Sequence, residues 1–365
     1  MKSDKINITF ALPNLLPGGA ERVMSYIAQN IDSKKFKSTL LIVGYSKDAS
    51  YDIKNIDVVF LEKPRVSKGV VALFKYIQKH KPDILVSAIG HLNTVTAYFS
   101  LIFPKTIFIA REVNVLSVLA NYENQGKSSP FDFISEKRFN FFNKVICQSQ
   151  DMLDDFHKNF NIKKNKLVVI NNPITDNFKV KNQKSKNEPI RFITVARFDL
   201  EKGHHRILEA LSQVNFDFHY TLIGKGVLYD AIFKLIDLYN LKEKISHIPF
   251  TKEVEKYLAE SDLYLQGSYT EGFPNSIIES CMVGTPVLAF DAPGGINEII
   301  YPDVNGKIVS NVDAFISELE NINSNFKFNA RVVSTTVSDR YSRETILSKY
   351  EDLFTNVYDQ RFSKR

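Results

Sequence analysis

The chain has 365 residues, long for one hydrophobic core, so two domains are expected. Its 44% hydrophobic and 24% charged content excludes a disordered or fibrous chain and fits a globular protein. The net charge of +6 is uneven: residues 1–170 carry 24 Lys and Arg against 15 Asp and Glu, a net of +9, and the remainder carries −3. A basic first half and a slightly acidic second half suggest different partners for the two; an ordinary lysine-rich solvated surface is the other reading.

The opening "MKSDKINITFAL" places Asp4 and Lys5 ahead of a short apolar run that soon meets Pro13, a poor signal peptide. From there strand-like and helix-like segments alternate: "INITFAL", helical "AERVMSYIAQNI", "STLLIVG", helical "GVVALFKYIQKH", "DILVSAI", "TIFIA", a helix across "FISEKRFNFFN", "KVICQS" and "KLVVINNPI". The ten-residue run "TVTAYFSLIF" ends at Pro104, far short of the roughly 20 residues a bilayer span needs. Cys147 and Cys281 are the two cysteines. They form no disulfide framework and lack metal-ligand spacing with histidine, so both read as small core residues of a reducing compartment.

The alternation breaks at the polar "TDNFKVKNQKSKNEP" and restarts with "IRFITVA", "HRILEALSQV", "FHYTLIG", "LYDAIFKLIDLYN", "ISHIPF", "EVEKYLAES", "DLYLQGS" and "PVLAF". The expected organisation is a first domain over 1–172, a linker over 173–189, a second domain over 190–340 and a final helix within 341–365 that could pack back on the first domain. The expected fold class is α/β: two doubly wound, Rossmann-like domains facing a cleft, with ligands at the carboxyl ends of the strands.

Three loops follow strand ends and carry chemistry. "LPGGAERV" puts Gly18 and Gly19 before a helix, without the dinucleotide-binding fingerprint. "VARFDLEKG" sets Arg197 and Lys202 five residues apart; a guanidinium and an ammonium together suit a diphosphate, and a pair of surface salt bridges is the alternative. "EGFPNSIIESCMVGTPVLA" reads as turn and helix after a short strand, with Glu271 on the loop and Glu279 about a turn inside the helix. Pro274 suits the first turn and Asn275 or Ser276 its cap. The helix start favours an anion, and the two carboxylates suit hydroxyl groups attached to it.

In the order "GGAERV", "ARFDLEKG", "LIGKG", "EGFPNSIIE" and "APGGINEII", the chain closely resembles the retaining GT-B glycosyltransferases of family 4 over nearly its whole length. The resemblance implies a nucleotide-sugar donor held by the second domain and a saccharide acceptor, lipid-linked or soluble, met by the first. It implies that Arg197 and Lys202 grip the donor diphosphate and that Glu279 bonds the ribose. Glu271 and the Gly272, Phe273, Pro274, Asn275 and Ser276 stretch address sugar and phosphates, while Gly19 approaches the diphosphate from the other domain. Gly224 and Phe250 complete the donor side, although Pro249 stands where relatives often carry glycine in the loop that meets the base. His91 in "SAIGHLNT" is a catalytic candidate. Asn93, Arg111, Glu112 and Asn114 are acceptor-side candidates, the last three in "AREVN", which resembles the "SERN" of relatives. His204 and His205 read as solvated.

No two aspartates lie two apart, so no metal and no cofactor are expected, and Arg197 and Lys202 take the metal's place at the leaving group. Neither domain opens on the fingerprint of an oxidoreductase. A sugar-nucleotide epimerase of the same shape, or an inactive partner subunit of a glycan-assembly complex, stays open. No nucleic-acid partner is expected. The basic first domain suggests peripheral docking on the anionic inner face of a cytoplasmic membrane, through "RVSKG", "KYIQKHK" or "FDFISEKRFNFFNK".

Overall fold

The computed structural model describes residues 5–123, 137–175, 178–182 and 188–362. Two parallel sheets organise them. The first contains β1 (Ile6–Leu12), β2 (Phe36–Ile42), β3 (Asp57–Phe60), β4 (Ile84–Ala88), β5 (Ile107–Arg111), β6 (Lys144–Cys147) and β7 (Leu167–Val169) in the order β3-β2-β1-β4-β5-β6-β7. The second contains β8 (Ile190–Val195), β9 (Phe218–Ile223), β10 (Ile245–Ile248), β11 (Leu263–Gln266), β12 (Val287–Phe290) and β13 (Gly306–Val309) in the order β10-β9-β8-β11-β12-β13. All five residues of β4 and of β5, and all four of β11 and of β12, are buried. Parallel strands covered on both faces read as continuous apolar runs for that reason.

In each sheet the strand order reverses once. β1 pairs with β2 on one side and β4 on the other; β8 pairs with β9 and with β11. Neighbouring strands whose following helices lie on opposite faces leave a crevice at their carboxyl ends. The loops after β1 and β4 therefore meet at the switch point of the first sheet, and those after β8 and β11 at that of the second.

The chain divides into two compact units: Met1–Val113 with Gly126–Pro173 and Arg343–Arg365, and Asn114–Gln125 with Ile174–Ser342. In this division Asn114–Gln125 and the expected linker from Ile174 onward both group with the second unit. The last helix, Arg343–Phe362, packs in the first: Phe354 meets the rings of Phe10 and Phe36 edge-on at 5.9 and 6.1 Å, and Glu351 Oε1 accepts from the Asp32 N–H at 2.9 Å. Strand β3 and the helices Gly90–Ile102, Gln150–Lys158, Val312–Ser324 and Ala330–Ser338 were not distinguished in the sequence. The expected helix over 133–143 lies partly outside the described residues; its described part is the short 3-10 turn Arg138–Phe141. Parts of the expected linker, residues 176–177 and 183–187, also lie outside them.

Candidate functional site

The loops after β8 and β11 meet through glycine. Gly203 has φ 58°, and a Cβ there would stand 1.9 Å from the Gly267 carbonyl oxygen; only glycine combines that conformation with that approach. Across the same contact the Tyr269 N–H donates to the Glu201 carbonyl at 2.8 Å. Arg206 braces the far side, donating from Nε to the Gly267 carbonyl at 2.6 Å and from NH2 to that of Ser268. Its guanidinium lies 4.0 Å from the ring centroids of both Tyr269 and Phe290. Burial draws its pKa down to about 10, so it stays cationic at neutral pH.

This join sets Lys202 against Glu271. The ammonium donates to Glu271 Oε1 at 2.7 Å, with the two side chains 14% and 13% exposed. The same oxygen accepts from Ser268 Oγ at 2.6 Å and Gln266 Nε2 at 3.0 Å. Three donors on one oxygen fix the carboxylate's orientation. Gln266 and Ser268 were not among the expected site residues; the only signal for them in the sequence is the polar exit of "DLYLQGS". Arg197 is placed differently. Its side chain is 68% exposed and pairs with Asp199 at 2.8 Å and Glu201 at 3.2 Å, so it shares no partner with Lys202.

The helix after Glu271 spans Asn275–Val283. Pro274, not Asn275 or Ser276, occupies the capping position, and no side chain caps the helix. The first N–H groups of a helix lack intrahelical partners. Tyr264 Oη lies 2.8 Å from Ser276 Oγ and 3.1 Å from the Val195 carbonyl, tying the helix start to β8 and β11. Glu279 is buried one turn in. Phe273 also faces inward, with its ring edge-on to Tyr341 at 5.0 Å, so its side chain supports the loop while the backbone of Gly272 and Phe273 forms the turn. Gly224, at φ 147°, follows β9; its N–H donates to the Ile248 carbonyl at 2.9 Å, and the Gly224 carbonyl accepts from His247 Nε2 at 2.8 Å. Phe250, past the end of β10, is 55% exposed.

His204 corrects the sequence reading. It is buried, not solvated, with Nε2 3.0 Å from the Arg197 carbonyl and Nδ1 without a partner. Burial lowers its pKa to about 4, so the ring is neutral and Nε2 donates. His205 is half-buried, its Nε2 2.8 Å from the Tyr269 hydroxyl, and burial lowers its pKa too.

In the first unit, Gly19 opens the helix Gly19–Asn30 after β1. His91 stands exposed in the first turn of the helix Gly90–Ile102 after β4. The residue ahead of that helix, Ile89, has φ 75°, a strained conformation for a β-branched side chain and one that collects at functional sites. The acceptor-side expectation for Asn93, Arg111 and Glu112 meets a different arrangement: all three are buried. Asn93 Nδ2 donates to Glu112 Oε1 at 2.6 Å and to the Arg111 carbonyl at 3.1 Å, and its Oδ1 accepts from Ser87 at 2.7 Å. Arg111 donates to Tyr350 Oη at 3.1 Å and Asn172 Oδ1 at 2.5 Å. Burial pushes the Glu112 carboxyl above its usual range. Buried polar groups need such partners; this network ties the ends of β4 and β5 together and leaves Arg111 Nη1 without a partner. Asn114 belongs to the second unit, where its Oδ1 accepts from Thr270 Oγ1 at 2.9 Å, next to Glu271. Beside it, the rings of Tyr122 and Tyr269 stack at 5.1 Å.

Among the described residues no three His, Cys, Asp or Glu side chains cluster as metal ligands, and no helix is long and apolar enough to cross a membrane. Cys147 and Cys281 are buried free thiols, their pKa raised by burial.

Two family models match the chain in succession: "Glycosyltransferase Family 4" over residues 17–178 and "Glycosyl transferases group 1" over residues 175–335. The chain is 27% identical over 323 residues, 85% of each protein, to the N-acetylgalactosamine-N,N'-diacetylbacillosaminyl-diphospho-undecaprenol 4-alpha-N-acetylgalactosaminyltransferase of Campylobacter jejuni. It is 22% identical to the Escherichia coli O-antigen biosynthesis glycosyltransferase WclY, over 60% of this chain and 63% of that one. Among solved structures, sucrose-phosphate synthase from Thermosynechococcus elongatus aligns with a TM-score of 0.84 at 14% identity, over 98% of this chain and 100% of that one. Anabaena HepE in complex with UDP and glucose aligns with a TM-score of 0.80 at 18% identity, over 96% and 100%. Both share the fold of two parallel sheets.

Proposed function

Because the chain belongs to the group 1 glycosyltransferases of family 4 and has the GT-B fold, we propose that it moves a sugar from a UDP-sugar, with retention of anomeric configuration and without a metal, to a lipid-linked saccharide in bacterial surface-polysaccharide assembly. The relatives supporting this setting act, by name, on a diphospho-undecaprenol saccharide in Campylobacter jejuni and in O-antigen biosynthesis in Escherichia coli. HepE supports UDP over GDP, since it binds UDP and glucose. The protein would work at the anionic inner face of a cytoplasmic membrane, where a polyprenyl-linked acceptor resides.

The observation that carries the reading is the Lys202 ammonium held 2.7 Å from a three-fold hydrogen-bonded Glu271 carboxylate, just ahead of a helix start. When the bond between the sugar C1 and the diphosphate breaks, negative charge collects on the departing phosphates and positive charge on the sugar. Lys202, Arg197 and the positive end of the helix that starts at Asn275 stabilise the first. Glu271, its Oε1 saturated by donors, turns Oε2 to the sugar hydroxyls, and Glu279 takes the ribose hydroxyls. The acceptor hydroxyl oxygen attacks C1 on the face the diphosphate leaves, and its proton passes to a departing phosphate oxygen. No protein nucleophile is required.

The test is a transfer assay with UDP-glucose, UDP-galactose and their N-acetylamino counterparts on polyprenyl-diphosphate-linked saccharides. An α-linked product from one of these α-donors is expected. A β-linked product, or release of a C4-epimerised UDP-sugar without any acceptor, would overturn the proposal.

A further inference from the structure

The helix Gly90–Ile102 contains no charged side chain, yet one face of it is exposed. His91, Tyr98, Leu101 and Ile102 lie on that face at helical spacing, with Leu101 60% and Ile102 55% exposed. A surface helix ordinarily turns charged and polar residues to solvent. The opposite face, with Leu92, Ala97 and Phe99 buried, already anchors this one in the fold. Phe141, 37% exposed, widens the strip: its ring lies 5.9 Å from that of Tyr98, and Ser100 Oγ donates to its carbonyl at 3.0 Å.

The surroundings are basic. Residues 63–105 hold seven Lys and Arg and one acid, Asp83, whose Oδ2 accepts from the backbone N–H and side-chain amide of Asn7. Lys105 stands exposed just past the end of the helix, and Arg361 donates to the carbonyl of Pro104 beside it. Lys75 is exposed on the adjoining helix Val66–His80, whose Phe74 ring packs on those of Phe99 and Phe103. Lys137 is exposed at the foot of the turn that carries Phe141.

We propose that this face is where the protein docks on an anionic lipid bilayer. Tyr98, Leu101, Ile102 and Phe141 enter the headgroup layer, and Lys75, Lys105, Lys137 and Arg361 meet lipid phosphates. An apolar strip fringed by cations is the chemistry that a charged bilayer surface recognises. The proposal rests on the reading of a lipid-linked acceptor and says which surface brings the protein to it. His91, the catalytic candidate of the first unit, heads the same helical face. Of the three segments favoured from sequence, "KYIQKHK" contributes Lys75 at the margin. "FDFISEKRFNFFNK" contributes Lys137 and Phe141 and otherwise lies partly outside the described residues.

Co-sedimentation of the full chain with phosphatidylcholine vesicles, with and without phosphatidylglycerol, provides the test. Binding is expected only with phosphatidylglycerol and should weaken as salt is added. The double variant Leu101→Ser/Ile102→Ser should bind about tenfold more weakly or worse, and Lys105→Ala about fivefold more weakly. Val227→Ser, at an 88% exposed site in the second unit, should bind as wild type. The chain has no tryptophan, so Tyr98→Trp gives a single reporter whose emission should shift to the blue on binding. Wild-type binding with an unshifted reporter and an unaffected double variant would overturn this surface while leaving the lipid-linked acceptor standing. Absence of wild-type binding at low salt would overturn both bilayer docking and this face, and transfer to a solubilised lipid-linked acceptor would still judge the acceptor reading separately.

Discussion

Lys202 and Glu271 divide one task between opposite charges. In the proposed reaction the carboxylate holds the ammonium in place before the donor arrives, and the diphosphate then competes for it. Lys202→Ala should lower turnover about 10²–10³-fold, the loss expected when one preorganised group at a developing anion is removed. Ser268 and Gln266 still bond Glu271 in that variant, so it should fold, and circular dichroism checks this. Arg197 is exposed and already paired with Asp199 and Glu201, so it must leave those acids to reach a diphosphate; Arg197→Ala should also cost orders of magnitude in turnover. Near-normal activity in either folded variant would remove that residue from the role. With cations serving at the leaving group, turnover is expected to survive exhaustive EDTA treatment, and complete loss restored by Mg²⁺ or Mn²⁺ would contradict it. His204 makes a different kind of prediction. Its pKa is lowered from 6.5 to about 4 in the fold, so below pH 6.5 the unfolded chain binds the extra proton. The stability this residue contributes is complete above about pH 6.5 and is lost as pH falls towards 4, by about 3 kcal/mol at most. Thermal unfolding from pH 7 to 4 should fall less steeply in His204→Gln than in wild type; parallel curves would sink the assignment.

At the scale of elements, the join between the loops after β8 and β11 is the feature on which the site depends. Gly203→Ala forces a Cβ against the Gly267 carbonyl at a left-handed φ, and about 1–3 kcal/mol of strain is expected. A lowered melting temperature should come with lost turnover, since Lys202 is the next residue. Gly90→Ala makes the contrast: a Cβ there has nothing within 4 Å, and its melting temperature should stay near that of wild type. The sequence revealed the strands well because parallel strands are apolar throughout, as "DILVSAI" and "PVLAF" are. Strand β3 escaped because its four residues are no more than half-buried and begin on Asp57, which makes no apolar run. The helix Gly90–Ile102 escaped because its outer face is as apolar as its inner one, so the period that marks a helix is erased. Lys202 and Glu271 were legible as charges beside glycine at strand ends. Gln266 and Ser268 were not, because short polar side chains at the end of a strand look like an ordinary loop. Arg111, Glu112 and Asn93 were legible as polar residues at strand ends, but their burial and mutual bonding are not displayed by sequence.

Over the whole molecule, each of two units carries its own parallel sheet with one reversal of strand order, and the last helix returns to the first unit through Phe354 and Tyr350. That return was expected only as one option, since "SRETILSKYEDLFTNVYDQ" shows that it is a helix but not which unit it packs on. The uneven charge, +9 against −3, now has an address in the exposed lysines around the helix Gly90–Ile102. The central claim is that the second unit grips a nucleoside diphosphate through Lys202, and thermal unfolding of the full chain with UDP tests it most directly. With EDTA present, UDP at a hundred times its dissociation constant should stabilise the wild-type protein by about 2.7 kcal/mol, seen as a raised melting temperature, and the same concentration should leave Lys202→Ala almost unshifted. An unchanged wild-type melting temperature with UDP, or an equal rise in the variant, would contradict the account.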